Sequence, residues 1–457
     1  MKGQAAADQS IDSASRQRLR RNMFGGAVGN ILEWYDFAVF GFLAPIIGMR
    51  FFPSDDGYSS LLAAFGAFAG AYFARPLGGV IFGNMGDRLG RKRALQVSVM
   101  VMAISTTLIG ILPTYDSIGY GAGLLLILLR LMQGLSVGGE LVGSISFISE
   151  IAPPNRRGFY GSFSFCSATG GMLFGSVVAT VATSTLSTAA LQSWGWRIPF
   201  LAGIAIGIFG LWMRTGMEET PHFAEGQQAG NIADNPVLES IRTMPWHIVQ
   251  VVALVALEAG GFYTLFVWIP TYLTELIFPP VPNALILNSI AMLLLTALIP
   301  VFGWLSDIFG RRTVLVLAAA SMAVFAYPLW SLLRGNPFPP VLLVQCCFAV
   351  IMAAVGGPLP AAMAELFPTR NRYSGIAIGY NIALAVFGGM APLFCTWLVT
   401  SSSNRMAPAF WLIGLAVLSL AAAAIKRPNQ MQVAVARNMP KDETTTGQRA
   451  ASDYRWR

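Results

Sequence analysis

Apolar runs of about twenty residues recur from one end of this chain to the other, and each is long enough to cross ~30 Å of hydrocarbon as a helix. Twelve such spans are expected, over 24–49, 59–83, 94–113, 120–149, 158–184, 195–214, 246–275, 284–304, 313–333, 340–365, 374–400 and 407–425. Of the 457 residues, 55% are hydrophobic and 11% charged, less than half the ~25% charged usual in soluble domains. That excludes an ordinary soluble enzyme, a disordered chain and a disulfide scaffold. The expected fold class is an all-α polytopic membrane protein.

The net charge of +8 does not point to nucleic acid, because the basic residues follow topology. With the N-terminus inside, 24 of the 30 Lys and Arg fall in cytoplasmic segments. Outside loops and span ends hold only Arg50, Arg197, Arg334 and Arg405. The first 23 residues are polar and do not read as a signal peptide. An even number of spans then places both termini in the cytoplasm, with the protein in the cell's inner membrane. Cys166, Cys346, Cys347 and Cys395 lie in apolar segments with no C-x-x-C pair, so no disulfide and no metal site is expected. No cofactor is expected either.

The polar stretch 215–245 splits the chain into two groups of six spans that echo each other. Gly83-Asn-Met-Gly-Asp87-Arg88-Leu-Gly90-Arg91-Lys92 has a counterpart in Gly303-Trp-Leu-Ser-Asp307-Ile-Phe-Gly310-Arg311-Arg312. Glu150-Ile-Ala-Pro153-Pro-Asn-Arg156-Arg157 has one in Glu365-Leu-Phe-Pro368-Thr-Arg370-Asn-Arg372. Two independent motifs at nearly one period imply a duplicated unit, and a site between duplicated halves is the architecture of alternating access. The expected organisation is a cytoplasmic tail 1–23, six helices over 24–214, a cytoplasmic loop 215–245, six helices over 246–425 and a polar tail 426–457.

The G-x-x-x-D-R-x-G-R-K loop between spans 2 and 3 resembles the signature loop of the major facilitator superfamily. Gly29-Asn30-Ile-Leu-Glu33-Trp34-Tyr35-Asp36-Phe37, Arg75-Pro76-Leu-Gly78-Gly79, Arg130-Leu-Met-Gln133-Gly134-Leu-Ser-Val-Gly138-Gly139-Glu140 and Trp194-Gly-Trp-Arg197-Ile-Pro199-Phe200 narrow it. Together they resemble the metabolite:proton symporters, a family with permeases for proline and betaine, alpha-ketoglutarate, shikimate and citrate. The resemblance implies two pseudo-symmetric six-helix halves working as a monomer in the lipid bilayer, with a small carboxylate-bearing metabolite and protons as partners. Two departures from the proline/betaine branch tilt the reading toward an organic acid: the tail lacks a long heptad run, and position 130 is Arg where Lys is expected. Ile104-Ser-Thr-Thr and Glu218-Glu-Thr-Pro-His-Phe223 still resemble that branch, so a proline/betaine-type symporter is the alternative. A drug/proton antiporter is less favoured, because span 5 has Gly170, Gly171 and Gly175 but no proline. No nucleophile–His–acid set or phosphate loop suggests an enzyme.

Ionisable groups inside a span cost about 2.5–3.5 kcal/mol each on insertion scales, so they are expected to face the bundle interior and do work there. A symporter of acids needs a cation for the carboxylate, which a guanidinium grips through two parallel hydrogen bonds. It also needs an acid that takes up a proton near neutral pH, which a dry surrounding favours. Arg130 is expected first for the substrate and Arg75 second, with Asn30, Tyr35, Gln133, Tyr380 and Asn381 as further substrate contacts. Glu33 and Asp36 are preferred for the proton, with Glu140 and Glu258 as further candidates. By resemblance, Gly83, Asp87, Arg88, Gly90 and Arg91 form a conformational latch. The second copy, with Asp307 and Arg311, is expected to be the looser one, since Ile308 stands where the first has Arg88. Glu150 is paired in expectation with Arg156 or Arg157, and Glu365 with Arg370 or Arg372.

Overall fold

The computed structural model describes residues 30–425 apart from 32, 90, 138, 216–235, 334–337 and 369–370. The described chain is helical bundle throughout. Among the described residues, nine helices are long and apolar enough to cross a membrane, or ten if the bent pair Thr188–Gly195 and Arg197–Trp212 is one span. Span 1, described from Asn30, and span 3, Arg91–Ile111, whose apolar part is Gln96–Ile111, occupy the two remaining expected positions.

Several spans are broken where the sequence weakens a helix. Span 4 runs as Tyr120–Ser136 and Glu140–Ile151, with Gly139 ahead of the second piece, rather than as one helix. Span 10 breaks between Gly356 and Leu359, at Pro358. Span 7, Pro245–Leu276, carries π-helical turns at Leu257–Gly261, Tyr263–Trp268 and Tyr272–Leu276, and span 11, Arg372–Ser402, has one at Leu384–Gly389. Such wide turns cluster at functional positions. A short helix, Pro236–Thr243, ends the central loop ahead of span 7.

The outer face is apolar, and the ionisable groups of the spans are turned inward into a mainly apolar core, as a hydrocarbon solvent requires. Leu77, Trp212, Leu317 and Val324 are exposed, while Asn30, Glu33, Asp36, Arg75, Arg130 and Gln133 are each at most 2% exposed. Lipid offers no hydrophobic drive between helices, so the spans meet through small residues. Gly78 and Gly134 bring spans 2 and 4 together backbone to backbone, Gly78 against Leu135 O and Gly134 against Ala71 O. That crossing fixes Arg75 and Arg130 side by side in the interior.

Spans 5 (Arg157–Thr185) and 8 (Ala284–Phe309) form a seam between the two bundles. Gly158 meets Gly303, Cys166 Sγ donates to Thr296 O at 3.5 Å, and Ser176 Oγ bonds Ser289 Oγ at 2.8 Å. The partners step in opposite directions along the chain, so the two helices run antiparallel in unbroken register.

Candidate substrate and coupling site

Two buried arginines define the centre, and each is tied to an acid of span 1. Arg75 Nη2 lies 3.3 Å from Glu33 Oε1, and its Nε donates to Asn381 Oδ1 of span 11 at 3.4 Å. Arg130 Nη1 lies 3.8 Å from Asp36 Oδ2 and donates to Gln133 Oε1 at 2.8 Å. Gln133 Nε2 in turn donates to Thr106 Oγ1 of span 3 at 3.0 Å.

Aromatic faces surround both guanidinium groups. Arg130 Cζ is 4.2 Å from the Phe40 ring centre, 5.0 Å from Phe37 and 5.5 Å from Phe68. Arg75 Cζ is 5.3 Å from Trp34, 5.5 Å from Tyr72 and 5.7 Å from Phe37. Cation–π contacts of this kind are worth up to about 2 kcal/mol when desolvated. They hold charge where Coulomb pairing alone repays little of the desolvation cost. The pairs are incompletely satisfied: Arg75 Nη1, Arg130 Nε and Nη2 and both Asp36 oxygens are buried without a hydrogen-bond partner.

The two arginines differ in reach. Arg130 is fully buried within the first six spans, whereas Arg75 reaches across to Asn381 in the last six. A group that touches both bundles can report to both. Three other expected substrate contacts make hydrogen bonds inside the first bundle. Asn30 donates to Ser167 Oγ at 3.0 Å and to Ser144 Oγ and Ser164 O at 3.5 Å, lacing spans 1, 4 and 5. Tyr35 donates to Pro199 O of span 6 at 2.9 Å. Gln133 serves Arg130. Tyr380 and Asn381 of span 11 face the first bundle: Asn381 Oδ1 accepts from Arg75 Nε, and the Tyr380 ring lies 6.0 Å from Phe165 of span 5. Glu140 is half-buried in the first turn after the break in span 4. Glu258 is half-buried in the π-helical turn of span 7.

Aromatic side chains complete the centre. The hydroxyls of Tyr72 and Tyr263 make a close contact across the bundles, and the Phe68 ring packs 5.9 Å from Tyr263. Phe37 and Phe40 are three apart and Phe68 and Tyr72 four apart, so each pair shares one helix face. That spacing was the available signal.

At the motif end the second motif copy ties the two bundles together. Asp307 accepts the backbone N–H groups of Gly158 and Phe159, both at 2.8 Å, and so caps the first turn of span 5. Arg311 holds Asp307 in place at 2.7 Å and also reaches Glu365 Oε1 at 3.5 Å. Ile308 costs nothing here, because Arg311, four residues on, supplies the charge. Glu150 pairs with Arg372 of the other bundle at 3.5 Å, not with its neighbours Arg156 and Arg157. Glu365 pairs with Arg311, and Arg370 lies outside the described residues. The side chains of Gly83, Asp87, Arg88 and Arg91, and the whole of Gly90, also lie outside the described residues, so the first latch copy has no structural account.

Two helix bundles joined by a long seam, with paired charges at their centre and a polar lock at one end, define a major facilitator fold. Residues 23–252 match the family model for sugar (and other) transporters, and residues 283–441 match that for the major facilitator superfamily. The chain is 35% identical over 413 residues to a proline/betaine transporter of Escherichia coli, covering 88% of this chain and 82% of the relative. It is 34% identical over 412 residues to a glycine betaine/proline/ectoine/pipecolic acid transporter of Dickeya dadantii, with the same coverage. A putative proline/betaine transporter of Staphylococcus aureus is 31% identical over 415 residues, covering 90% and 88%. The fold also matches the solved proton:xylose symporter XylE bound to 6-bromo-6-deoxy-D-glucose, at TM-score 0.69, 18% identity and coverage of 90% and 95%. The chain therefore belongs to the major facilitator superfamily, in the metabolite:proton symporter family that includes the proline/betaine transporters. These relatives fall with the alternative reading of the sequence and give the organic-acid reading no support. Arg in place of Lys at position 130 and the missing heptad run carried too much weight.

Proposed function

We propose that this protein is a proton-coupled importer of a small zwitterion of the proline or betaine class, working by alternating access in the inner membrane with its motif end facing the cytoplasm. The observation that carries the reading is the Glu33–Arg75–Asn381 chain, in which a buried acid and the substrate carboxylate compete for one guanidinium between the bundles. A substrate carboxylate takes Arg75 at least cost when Glu33 has taken up a proton. The substrate carboxylate then replaces beside Arg75 the negative charge that Glu33 has lost, and each ligand favours the other by linkage. Asp36 and Arg130 form a second acid–arginine pair deeper in the first bundle, available to the same exchange. The names of the relatives support the substrate class. The basic residues of the loops support the orientation.

The test is uptake into proteoliposomes under an imposed inward proton gradient, with labelled proline, betaine, dicarboxylates, citrate and shikimate. Accumulation of proline or betaine, abolished by a protonophore and weakened by Arg75→Ala, is the expected result. Accumulation of a di- or tricarboxylate instead, or expulsion of a cationic dye, overturns it.

A further inference from the structure

Glu33, Asp36, Asp307 and Glu365 each have an arginine within 4.0 Å. Glu258 does not. It forms no salt bridge among the described residues, and its Oε2 is buried without a hydrogen-bond partner. A carboxylate in mid-span with no cation is costly, and such a group is retained where a cation arrives from elsewhere. The glutamate sits in the π-helical turn Leu257–Gly261, whose wider spacing sets its direction apart from a regular helix face.

Its surroundings locate that cation. Span 11 links the two groups: the turn bearing Glu258 packs on it, Gly260 against Phe387 O, while Arg75 Nε donates to its Asn381 at 3.4 Å. Arg75 Nη1 is itself buried and unpartnered. One bundle thus offers an unfilled anion contact and the other an unfilled cation contact. Tyr72 and Tyr263, joined at their hydroxyls, add ring faces that suit an alkylated ammonium.

We infer that Glu258 receives the ammonium end of the zwitterion whose carboxylate Arg75 holds, and that it sets the preference for a zwitterion over a diacid. This rests on the proposed substrate class. A diacid would bring a second negative charge against Glu258, so the residue rejects as well as attracts. Because the two contacts come from different bundles, a bound zwitterion draws them together and a plain carboxylate does not.

The experiment is substrate counterflow in proteoliposomes of the full chain at equal pH on both sides, which reads recognition without a proton gradient. Betaine competes against 3,3-dimethylbutanoate, which has the same shape with carbon in place of the charged nitrogen. The unmodified protein is expected to favour betaine by about 10- to 100-fold, the worth of one charge-assisted contact. Glu258→Gln is expected to bring the two within about threefold, and Glu258→Asp to keep most of the preference. An unchanged ratio in Glu258→Gln overturns the inference, including the case where gradient-driven accumulation alone is lost, since Glu258 would then serve the proton. If the unmodified protein exchanges neither betaine nor proline, the substrate reading fails and this inference with it. An unchanged ratio with exchange intact sinks this inference alone.

Discussion

Asp307 receives the backbone N–H of Gly158 at 2.8 Å, so a carboxylate of the second bundle closes the open end of a helix in the first. The partner is a backbone group that no side-chain substitution removes. The lock therefore tests cleanly from the aspartate side. Asp307→Ala removes a cap worth about 1 kcal/mol together with its Arg311 pair. The population open at the motif end should rise by roughly fivefold to thirtyfold. Ser162 is fully buried beside this contact. With the native cysteines replaced, Ser162→Cys should react faster with a maleimide in the Asp307→Ala background. Equal rates would show that the cap does not hold that end shut.

Gly303 faces the same junction. A Cβ there would lie 2.7 Å from Gly158 O and from Ser162 Oγ. Overpacking of this kind costs about 1–3 kcal/mol. Gly303→Ala should lower uptake by about tenfold or more at normal expression, while Gly170→Ala and Gly414→Ala, with open space around them, leave it unchanged. Comparable losses at all three would point to helix propensity instead of the seam.

The Glu150–Arg372 pair joins the bundles at a wetter place, with side chains 38% and 14% exposed. Partly exposed pairs contribute about 0–1 kcal/mol. Glu150→Arg or Arg372→Glu alone should reduce uptake severalfold, and the two together should recover most of it. Failure of the exchanged pair to recover would assign Arg372 to its other bond, the 3.0 Å donation to Ala364 O.

Glu33→Gln keeps the size of the side chain and removes its ability to trade a proton. Counterflow should persist while uphill accumulation driven by a proton gradient is lost. If accumulation survives in Glu33→Gln and disappears in Asp36→Asn, the coupling belongs to the Arg130 pair.

The two arginines should separate under substitution by lysine. An ammonium cannot spread over three ring faces or keep the geometry of the Gln133 bond. Arg130→Lys should lower thermal stability by about 1–2 kcal/mol and leave the KM for substrate nearly unchanged. Arg75→Lys should raise KM with a smaller effect on stability. The opposite pattern would restore Arg130 as the substrate anchor.

Hydropathy made the spans legible because a bilayer leaves the backbone few choices, and the repeated Asp-x-x-Gly-Arg loops revealed the duplication. That Arg75, Arg130, Glu33 and Asp36 belong together was legible from their cost in hydrocarbon. Which arginine meets which acid was not. It depends on how spans 2 and 4 are rotated, and Gly78 and Gly134 set that by contacts that leave no periodic trace. A polar group facing inward can satisfy a neighbouring helix as well as a cavity, and Tyr35 and Asn30 each bond a neighbouring helix. The partner of Asp307 was invisible for another reason: it is a pair of amides, the same in every sequence.

Spans 5 and 8 touch at both ends and at the middle, through Gly158 with Gly303, Cys166 with Thr296 and Ser176 with Ser289. Two stiff rods in such contact part at one end only by tilting about the midpoint, and that tilt presses the other ends together. The seam is a seesaw. On such a seam the opening of one mouth works to close the other, and the Asp307 cap adds to the hold on its own end.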